Sequence, residues 1–457
     1  MHRKIAVLLL SLLTLALMPL SARAEISPGW GVSERIRYEY WKNWKDMDNG
    51  QLDNRNFIRF RTSLWGELKA DKKFSLFAKL TDEFRAHTYF GGTSSSFPDK
   101  TASKKGYHFD INEVVFDNLY FDYNTFFGLP VDLRLGRQDL LTYGEGFLIY
   151  EGTPGDGSRT YYFNAVRASL CADDKNTLDF IYINDPRDEE FLPAINRAKF
   201  VQVSRPTLDK VPQSLNTTDE QAGLLYWKNK SVKNLALDGY YIYKREGWEG
   251  GTGLQAQKGK INTWGGMAKY DIADWTFKGQ LAYQFGKYGA NDRQGIGGYG
   301  YIERGLKDKL FKPYLTLGYI YLSGDRRRTN KIEAWDPLFS RYTWISDIYS
   351  MSMNAETGIT YYWTNLSILR ATMALKLAEK IKLTFGYNFL RANEQVAASA
   401  IFSGRGKTKG HLPQMKLEYA FNKNVNSFFQ IEYLIPGNFY KDRDPGIFLR
   451  TELSIKF

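Results

Sequence analysis

Residues 446–457 read GIFLRTELSIKF. Ile447, Leu449, Leu453, Ile455 and Phe457 share one parity, with Thr451 among them. Arg450, Glu452, Ser454 and Lys456 share the other, with Phe448. A period of two sends the two sets to opposite faces of a strand, one greasy and one wet. A half-buried sheet in a soluble protein shows the same alternation, so the rest of the chain decides where this strand lives.

The 457-residue chain opens MHRKIAVLLLSLLTLALMPLSARA. Arg3 and Lys4 precede an apolar run from Ile5 to Leu17, and Ala22-Arg23-Ala24 fits a small-x-small cleavage site. Residues 1–24 are therefore expected to be a signal peptide and residues 25–457 a single exported domain. Losing Arg3, Lys4 and Arg23 lowers the formal charge from +12 to +9. Export sets nucleic acid aside as a partner, although the charge alone would permit it. Cys171 is the only cysteine, which excludes a disulfide framework and a cysteine-rich metal site. In an exported protein, a last strand ending on Phe457 resembles the C-terminal strand that the barrel-assembly machinery of the bacterial outer membrane reads.

No stretch beyond the leader approaches the 18 consecutive apolar residues of a spanning helix. Aromatic residues are abundant instead, with 31 Tyr, 30 Phe and 11 Trp. Eighteen segments show strand-like alternation: 29–41, 55–69, 73–86, 108–123, 131–141, 158–170, 176–184, 219–228, 234–245, 260–271, 275–288, 297–307, 311–323, 363–378, 381–393, 410–421, 425–435 and 446–457. Tight links such as Ala70-Asp71-Lys72, Ile272-Ala273-Asp274 and Glu379-Lys380 alternate with long ones, among them 87–107, 185–218 and 324–362. Residues 351–362 are a nineteenth candidate, assigned to a loop because an even count returns both termini to one side. The pattern predicts an all-β fold, a transmembrane antiparallel barrel of about 18 strands with short periplasmic turns and long extracellular loops. Outer-membrane lipid then bathes one face. A barrel this wide holds an aqueous channel.

Alternation sorts the charges. In RNFIRFRTSLWGEL (55–68), Ile58, Phe60, Thr62, Leu64, Gly66 and Leu68 oppose Arg55, Phe57, Arg59, Arg61, Ser63, Trp65 and Glu67. Arginine at the bilayer midplane costs about 2–4 kcal/mol, so the second set faces the lumen. Arg35, Arg37 and Glu39 of the first segment take the same face, as do Lys79, Glu83 and Arg85 of the third. Glu34 interrupts the apolar parity and is expected near the periplasmic rim. Closure brings the last strand beside the first, which adds Arg450 and Glu452. Arg35, Arg37, Arg59, Arg61, Lys79, Arg85 and Arg450 then form a basic wall, and Glu39, Glu67, Glu83 and Glu452 are the acids expected to hold the guanidinium groups. Arg370 faces inward on a separate strand.

The segments LGRQDLLTYGEGFLIYEGTPGDGSRTYYFNAVRASL (135–170) and GHLPQMKLEYAFNKNVNSFFQIEYLIPGNFYKDRDPGIFLRTELSIKF (410–457) resemble the alginate export family of outer-membrane barrels. The matching elements are Gly136-Arg137-Gln138, Tyr143-Gly144-Glu145-Gly146, Asp156-Gly157-Ser158-Arg159-Thr160, the late Gly-Asn-Phe-Tyr (437–440) and the final strand. The resemblance implies an 18-stranded monomer that passes an anionic polyuronate through an Arg/Lys-lined pore. It also implies roles for Arg137 and Arg159 and leaves room for periplasmic export partners. Arg137 shares parity with the lipid-facing Val131, Leu133 and Leu135. A bulge after Arg134, or extension of the strand beyond the bilayer, would reconcile this. The sequence departs from the family's long periplasmic turn, since every periplasmic turn here reads as short. Loops 87–107, 185–218 and 324–362 are the segments able to cover or enter the pore from outside.

No cofactor, metal or catalytic site is expected. His87, His108 and His411 form no HExxH or Cys/His ligand spacing. Asp46-x-Asp48-x-Gly50 lacks the spacing of a calcium loop. The sequence thus predicts a passive outer-membrane channel of a Gram-negative bacterium for an anionic polysaccharide, and no enzyme. A general or small-anion porin is the alternative. An outer-membrane hydrolase using His87 and His108 is the alternative from another class.

Overall fold

Lipid offers backbone groups no hydrogen-bond partner, so a spanning sheet must close on itself. The chain meets this demand with eighteen long strands in one sheet. In chain order they are β1 (Ile26–Lys42), β2 (Arg55–Ala70), β3 (Phe74–His87), β4 (His108–Tyr123), β5 (Val131–Asp139), β6 (Tyr162–Asp173), β7 (Asn176–Asp185), β8 (Asp219–Asn229), β9 (Leu235–Gly247), β10 (Gly259–Ile272), β11 (Trp275–Tyr288), β12 (Asn291–Gly305), β13 (Tyr314–Leu322), β14 (Leu366–Ala378), β15 (Ile381–Arg391), β16 (Thr408–Ala420), β17 (Val425–Pro436) and β18 (Gly446–Lys456). Each pairs antiparallel with the next. β1 pairs with β18 from Ser33↔Lys456 to Lys42↔Ile447, which closes the ring. Val32 and the terminal Phe457 exchange backbone hydrogen bonds of 2.8 and 2.9 Å, extending the seam by one pair. This is a computed structural model, and it describes residues 26–50, 54–87, 108–150, 162–187, 191–196, 218–247, 258–326 and 328–457. The predicted signal peptide lies outside them.

The eighteen strands match the count read from the alternation. One boundary differs notably. The twelfth segment was expected from residue 297, yet β12 starts at Asn291, because Gly289 (φ +59°) and Ala290 form a two-residue hairpin on the long-loop side. Its glycines are part of the strand and not a loop. Gly297 in particular leaves room for Trp335, since a Cβ there would stand 2.6 Å from the indole. The links at the end that also holds the termini stay short, the longest covering residues 306–313. Two small strands, Ala194–Asn196 and Lys331–Ile332, pair with β4 and β12 near the opposite rim.

The two faces separate as the alternation requires. On β2, Leu64 and Leu68 are exposed on the outward face, whereas Arg59, Arg61 and Ser63 are buried on the inward one. On β11, Phe277, Leu281, Tyr283 and Phe285 point out, and Gln280, Ala282 and Gln284 are buried inside. Glu34 lies opposite Ile455, close to the end of the β1–β18 seam that holds the termini. It pairs with Thr62, and Thr62 Oγ1 donates to it at 2.6 Å.

Residues 351–362 are not a strand, in agreement with the topological argument, but neither are they an ordinary loop. Asp347–Thr357 form a helix, α1. Ser346 caps its start, its hydroxyl accepting from Tyr349 N at 3.1 Å, and Gly358 ends it in the left-handed region at φ +77°. The buried face, from Asp347 to Met353, packs inside the barrel.

Leu281 is 60% exposed at the middle of β11. Leu281→Arg is expected to lower barrel stability by about 2–4 kcal/mol in urea titrations of the lipid-embedded protein. Unchanged stability would contradict the assigned facing.

Candidate functional site

Strand register builds the inward wall. β18, β1, β2 and β3 are consecutive neighbours, with Glu39 opposite Arg450, Arg37 opposite Arg59, and Arg59 opposite Arg85. Like charges that meet across a sheet repel, so acids must be interleaved. Glu83 serves three partners: Arg35 at 3.2 Å, Arg59 at 3.6 Å and Arg85 at 3.7 Å. Glu39 takes Arg450 at 3.0 Å and Arg59 at 3.7 Å. Glu452 takes Arg37. The wall is therefore built of ion-paired groups and not of isolated cations.

The structure supplies an acid that alternation misassigns. Asp117 stands 2.5 Å from Lys79 and 3.6 Å from Arg61. Simple parity puts Asp117 with the outward Leu119 and Phe121. Lys79 pairs with Asn118 and Leu80 with Phe116, so Asp117 is the extra residue of a β-bulge that turns it inward. Glu67, expected among the acids holding the guanidinium groups, has Lys69 as its ion-pair partner at 2.9 Å, nearer the short turns.

Arg137, the family-motif arginine within the described residues, has partners outside the wall. Arg137 is buried, donating to Asn164 Oδ1 at 2.9 Å and to the Phe116 carbonyl at 3.0 Å, with its guanidinium 4.3 Å from the Tyr162 ring centre. β5 pairs with both neighbours without a register shift, so no bulge follows Arg134. The irregularity is Gly136 at φ +120°, where a Cβ would come within 2.3 Å of the Leu119 carbonyl. Arg370 donates to Asn388 Oδ1 at 3.1 Å on β14–β15 and does not join the wall. Arg159 lies outside the described residues.

Opposite the wall, two long connections fold inward. Residues 140–150 bring Tyr143, Phe147, Leu148 and Ile149 into the lumen, where all four are buried. Gly144 (φ +58°) and Gly146 (φ +80°) make this possible, since a Cβ would meet Gln280 at 2.8 Å in one case and Tyr150 at 2.8 Å in the other. Phe147 stacks on Trp335 of the second connection, and Phe339 N donates to the Leu148 carbonyl at 3.0 Å. Both connections cover the inward tyrosines Tyr226, Tyr240 and Tyr299.

The second connection, residues 323–365, crosses the lumen. On the β8–β12 side, Asp336 binds Arg293 at 3.0 Å, and Lys244 reaches both Glu220 at 2.8 Å and the Leu338 carbonyl at 3.1 Å. Arg341 also binds Glu220. On the β16–β18 side, Glu432 accepts from the backbone N–H of Asp347 and Ile348 at 3.1 Å each, satisfying the start of α1. Lys409 holds Glu356 at 2.6 Å. Arg450 grips Asp347 in a bidentate pair at 2.8 and 3.1 Å. The connection thus ends against the edge of the basic wall.

No group of three or more His, Cys, Asp or Glu is arranged for a metal among the described residues. In the Asp46–Gly50 stretch the carboxylates accept from the loop's own backbone, Asp48 N at 3.2 Å and Gly50 N at 2.8 Å. His411 Nδ1 shares a hydrogen bond of 2.6 Å with the Tyr387 hydroxyl. The backbones of His87 and His108 pair at one rim, and their side chains lie outside the description.

A family model described as Alginate export matches residues 29–176 and 201–448. Among solved structures, a BenF-like porin from Pseudomonas fluorescens Pf-5 matches with TM-score 0.56 and 11% identity, covering 94% of this chain and 98% of that one. Pseudomonas aeruginosa OccK8 (OprE) matches with TM-score 0.55 and 11% identity over the same shares. Acinetobacter baumannii OccAB2 matches with TM-score 0.56 and 10% identity, again over 94% and 98%. At such identities the likeness is one of fold. No curated protein matches the chain.

Burial alone would raise the Asp336 carboxyl, but Arg293, Lys244 and Arg341 outweigh it and hold it below its ordinary 3.8. A depressed carboxyl stabilises the docked loop above that ordinary value, and the contribution is lost as pH falls through the lower, folded one. Protection of the amides over residues 335–340, relative to their intrinsic exchange rates, should therefore fall below about pH 4. Asp336→Asn should flatten that dependence, and a flat profile in the unaltered protein would refute the assignment. Glu432→Ala leaves the first amides of α1 without their acceptor and should loosen the helix by about 1–3 kcal/mol. The readout is faster exchange over 347–357 in a barrel that still migrates as folded.

Proposed function

The chain belongs to the alginate export family and forms a porin-like channel of the outer membrane, and on that premise we propose that it passes an anionic polysaccharide, an alginate-like polyuronate, by passive diffusion along the wall of Arg35, Arg37, Arg59, Arg61, Lys79, Arg85 and Arg450. The observation that supports this reading is the excess of fixed positive charge on one side of the lumen. Among the described residues those seven cations outnumber their five acid partners, Glu39, Glu83, Asp117 and Glu452 with Asp347 added by the crossing loop. A guanidinium has five donors in a planar fork, so an arginine that holds a carboxylate can still offer an N–H to another. Each contact with a passing uronate is then an exchange between acids and not the filling of a bare charge. Binding that is shared in this way is weak and repeated, which suits a polymer that must slide onward.

The same reading extends to partners. The C-terminal strand ending at Phe457 is the element for recognition by the barrel-assembly machinery of a Gram-negative outer membrane. The barrel acts as a monomer, and periplasmic export partners deliver the polymer at the short-turn side.

A small-anion porin is the second reading. It is favoured by the ion pairing, because each of the seven cations has an acid partner and a wall of paired charges hydrates a pore without selecting a polyanion. Single-channel recording separates the two. A uronate oligomer is expected to block the current, and Arg59→Ala with Arg61→Ala should weaken that block by about tenfold, equivalent to ~1.4 kcal/mol. A channel that prefers chloride but is never blocked by the oligomer would be the small-anion porin.

A further inference from the structure

Three large aromatic side chains stand on the inward face close to the short turns, where the lipid gives no reason for them. Trp65 lies five residues before the end of β2, Phe77 three after the start of β3, and Tyr120 three before the end of β4. Aromatic girdles of outer-membrane barrels lie on the outward, lipid-facing side. These three have the opposite parity: Glu67 pairs with Phe77, and Phe77 with Tyr120, while Leu64, Leu68 and Leu76 are the exposed outward neighbours. Their rings form a near-parallel row across three strands, Trp65 to Phe77 at 6.0 Å and 21°, Phe77 to Tyr120 at 5.0 Å and 19°. Gly31 on β1 makes space for the first of them, since a Cβ there would stand 2.6 Å from the Trp65 indole.

This row differs from the other inward aromatics. Tyr226, Tyr240 and Tyr299 are buried beneath the two inward connections. Trp65, Phe77 and Tyr120 remain partly exposed, and their aromatic partners are one another. A cation completes the group. Arg134 on β5 lies 3.9 Å from the Tyr120 ring centre. Its Nε and Nη2 donate to the two oxygens of Asp122 at 2.6 and 2.8 Å, which fixes the guanidinium plane and leaves Nη1 without a partner among the described residues. Two residues further along β3 comes Lys79, and four further along β2 comes Arg61, the first cations of the wall.

We propose that Trp65, Phe77, Tyr120 and Arg134 form a saccharide-binding subsite at the short-turn mouth, which packs pyranose C–H groups against the exposed edges of the ring row and takes a uronate carboxylate on the free edge of Arg134. Dispersion against flat rings recognises a sugar whatever its charge. The guanidinium adds a preference for acidic sugars. The subsite aligns the leading residues of a chain with the strands that carry the basic wall. Its acidic preference rests on the polyuronate reading; its recognition of pyranose rings does not.

The test is single-channel block in planar bilayers, with a uronate hexamer and a neutral glucan hexamer each added on the short-turn side. Trp65→Leu with Phe77→Leu should reduce the association rate of both oligomers by about tenfold, and Trp65→Tyr with Phe77→Tyr should restore it. Heat-modifiable migration checks that each variant is a folded barrel. Uronate block that is unchanged in the leucine variant overturns the subsite and leaves the polyuronate reading standing. Neutral-glucan block that depends on Trp65, with no uronate block, supports the ring row and contradicts the polyuronate reading. Absence of block by either oligomer overturns both.

Discussion

The seam between β1 and β18 is the constraint on which everything else depends. An open sheet in lipid would expose two rows of unpaired backbone groups, each a penalty of several kcal/mol. Ten residue pairs from Ser33↔Lys456 to Lys42↔Ile447 remove both rows, and Val32 with Phe457 adds one more. Closure also fixes which side chains share a face around the whole ring. Arg450 lies next to Glu39 only because the last strand returns to the first, and that contact ties the wall to the crossing loop through Asp347. The site is thus a consequence of closing the barrel.

Within the ring, the lumen is divided between two kinds of surface. Residues 140–150 and 323–365 pack on each other and on the tyrosines of β8–β12, so that half is filled with aromatic side chains. The other half, β1–β5, keeps its polar face, where buried acids hold the guanidinium groups in position. Removing one partner from such a network strands a buried charge, a far larger penalty than loss of a surface ion pair. The arrangement holds the wall in one geometry, which suits the proposed passage of a polymer, since every residue would then meet the same donors.

Much of this was legible in the chain because a barrel strand reports its two faces every two residues. Leu64 beside Arg61, or Ile455 beside Lys456, is enough to orient a strand and to count eighteen of them. Alternation fails where the backbone departs from a simple pleat. The bulge at Asp117 turns inward a carboxylate that parity places outside, and Gly136 at φ +120° precedes an arginine that parity places in lipid. Glu34 is a true exception, because Thr62 gives it a local partner. The crossing loop carries no periodicity of two, so only its composition hints at its course. Trp335, Phe339, Trp344, Ile345, Ile348 and Tyr349 are too apolar for a segment in open water, and Ser346 and Gly358 bracket α1 with ordinary cap chemistry. Tertiary contacts with Glu432 and Arg450 then decide where the helix rests, and no local pattern encodes those.

The central claim is that one wall carries enough fixed positive charge to set what the channel passes. The reversal potential of the unaltered channel in a planar bilayer, under a KCl gradient at neutral pH, tests it most directly. The account predicts a potential on the chloride side of zero, reduced as ionic strength rises and the wall is screened. A potential on the potassium side would contradict it.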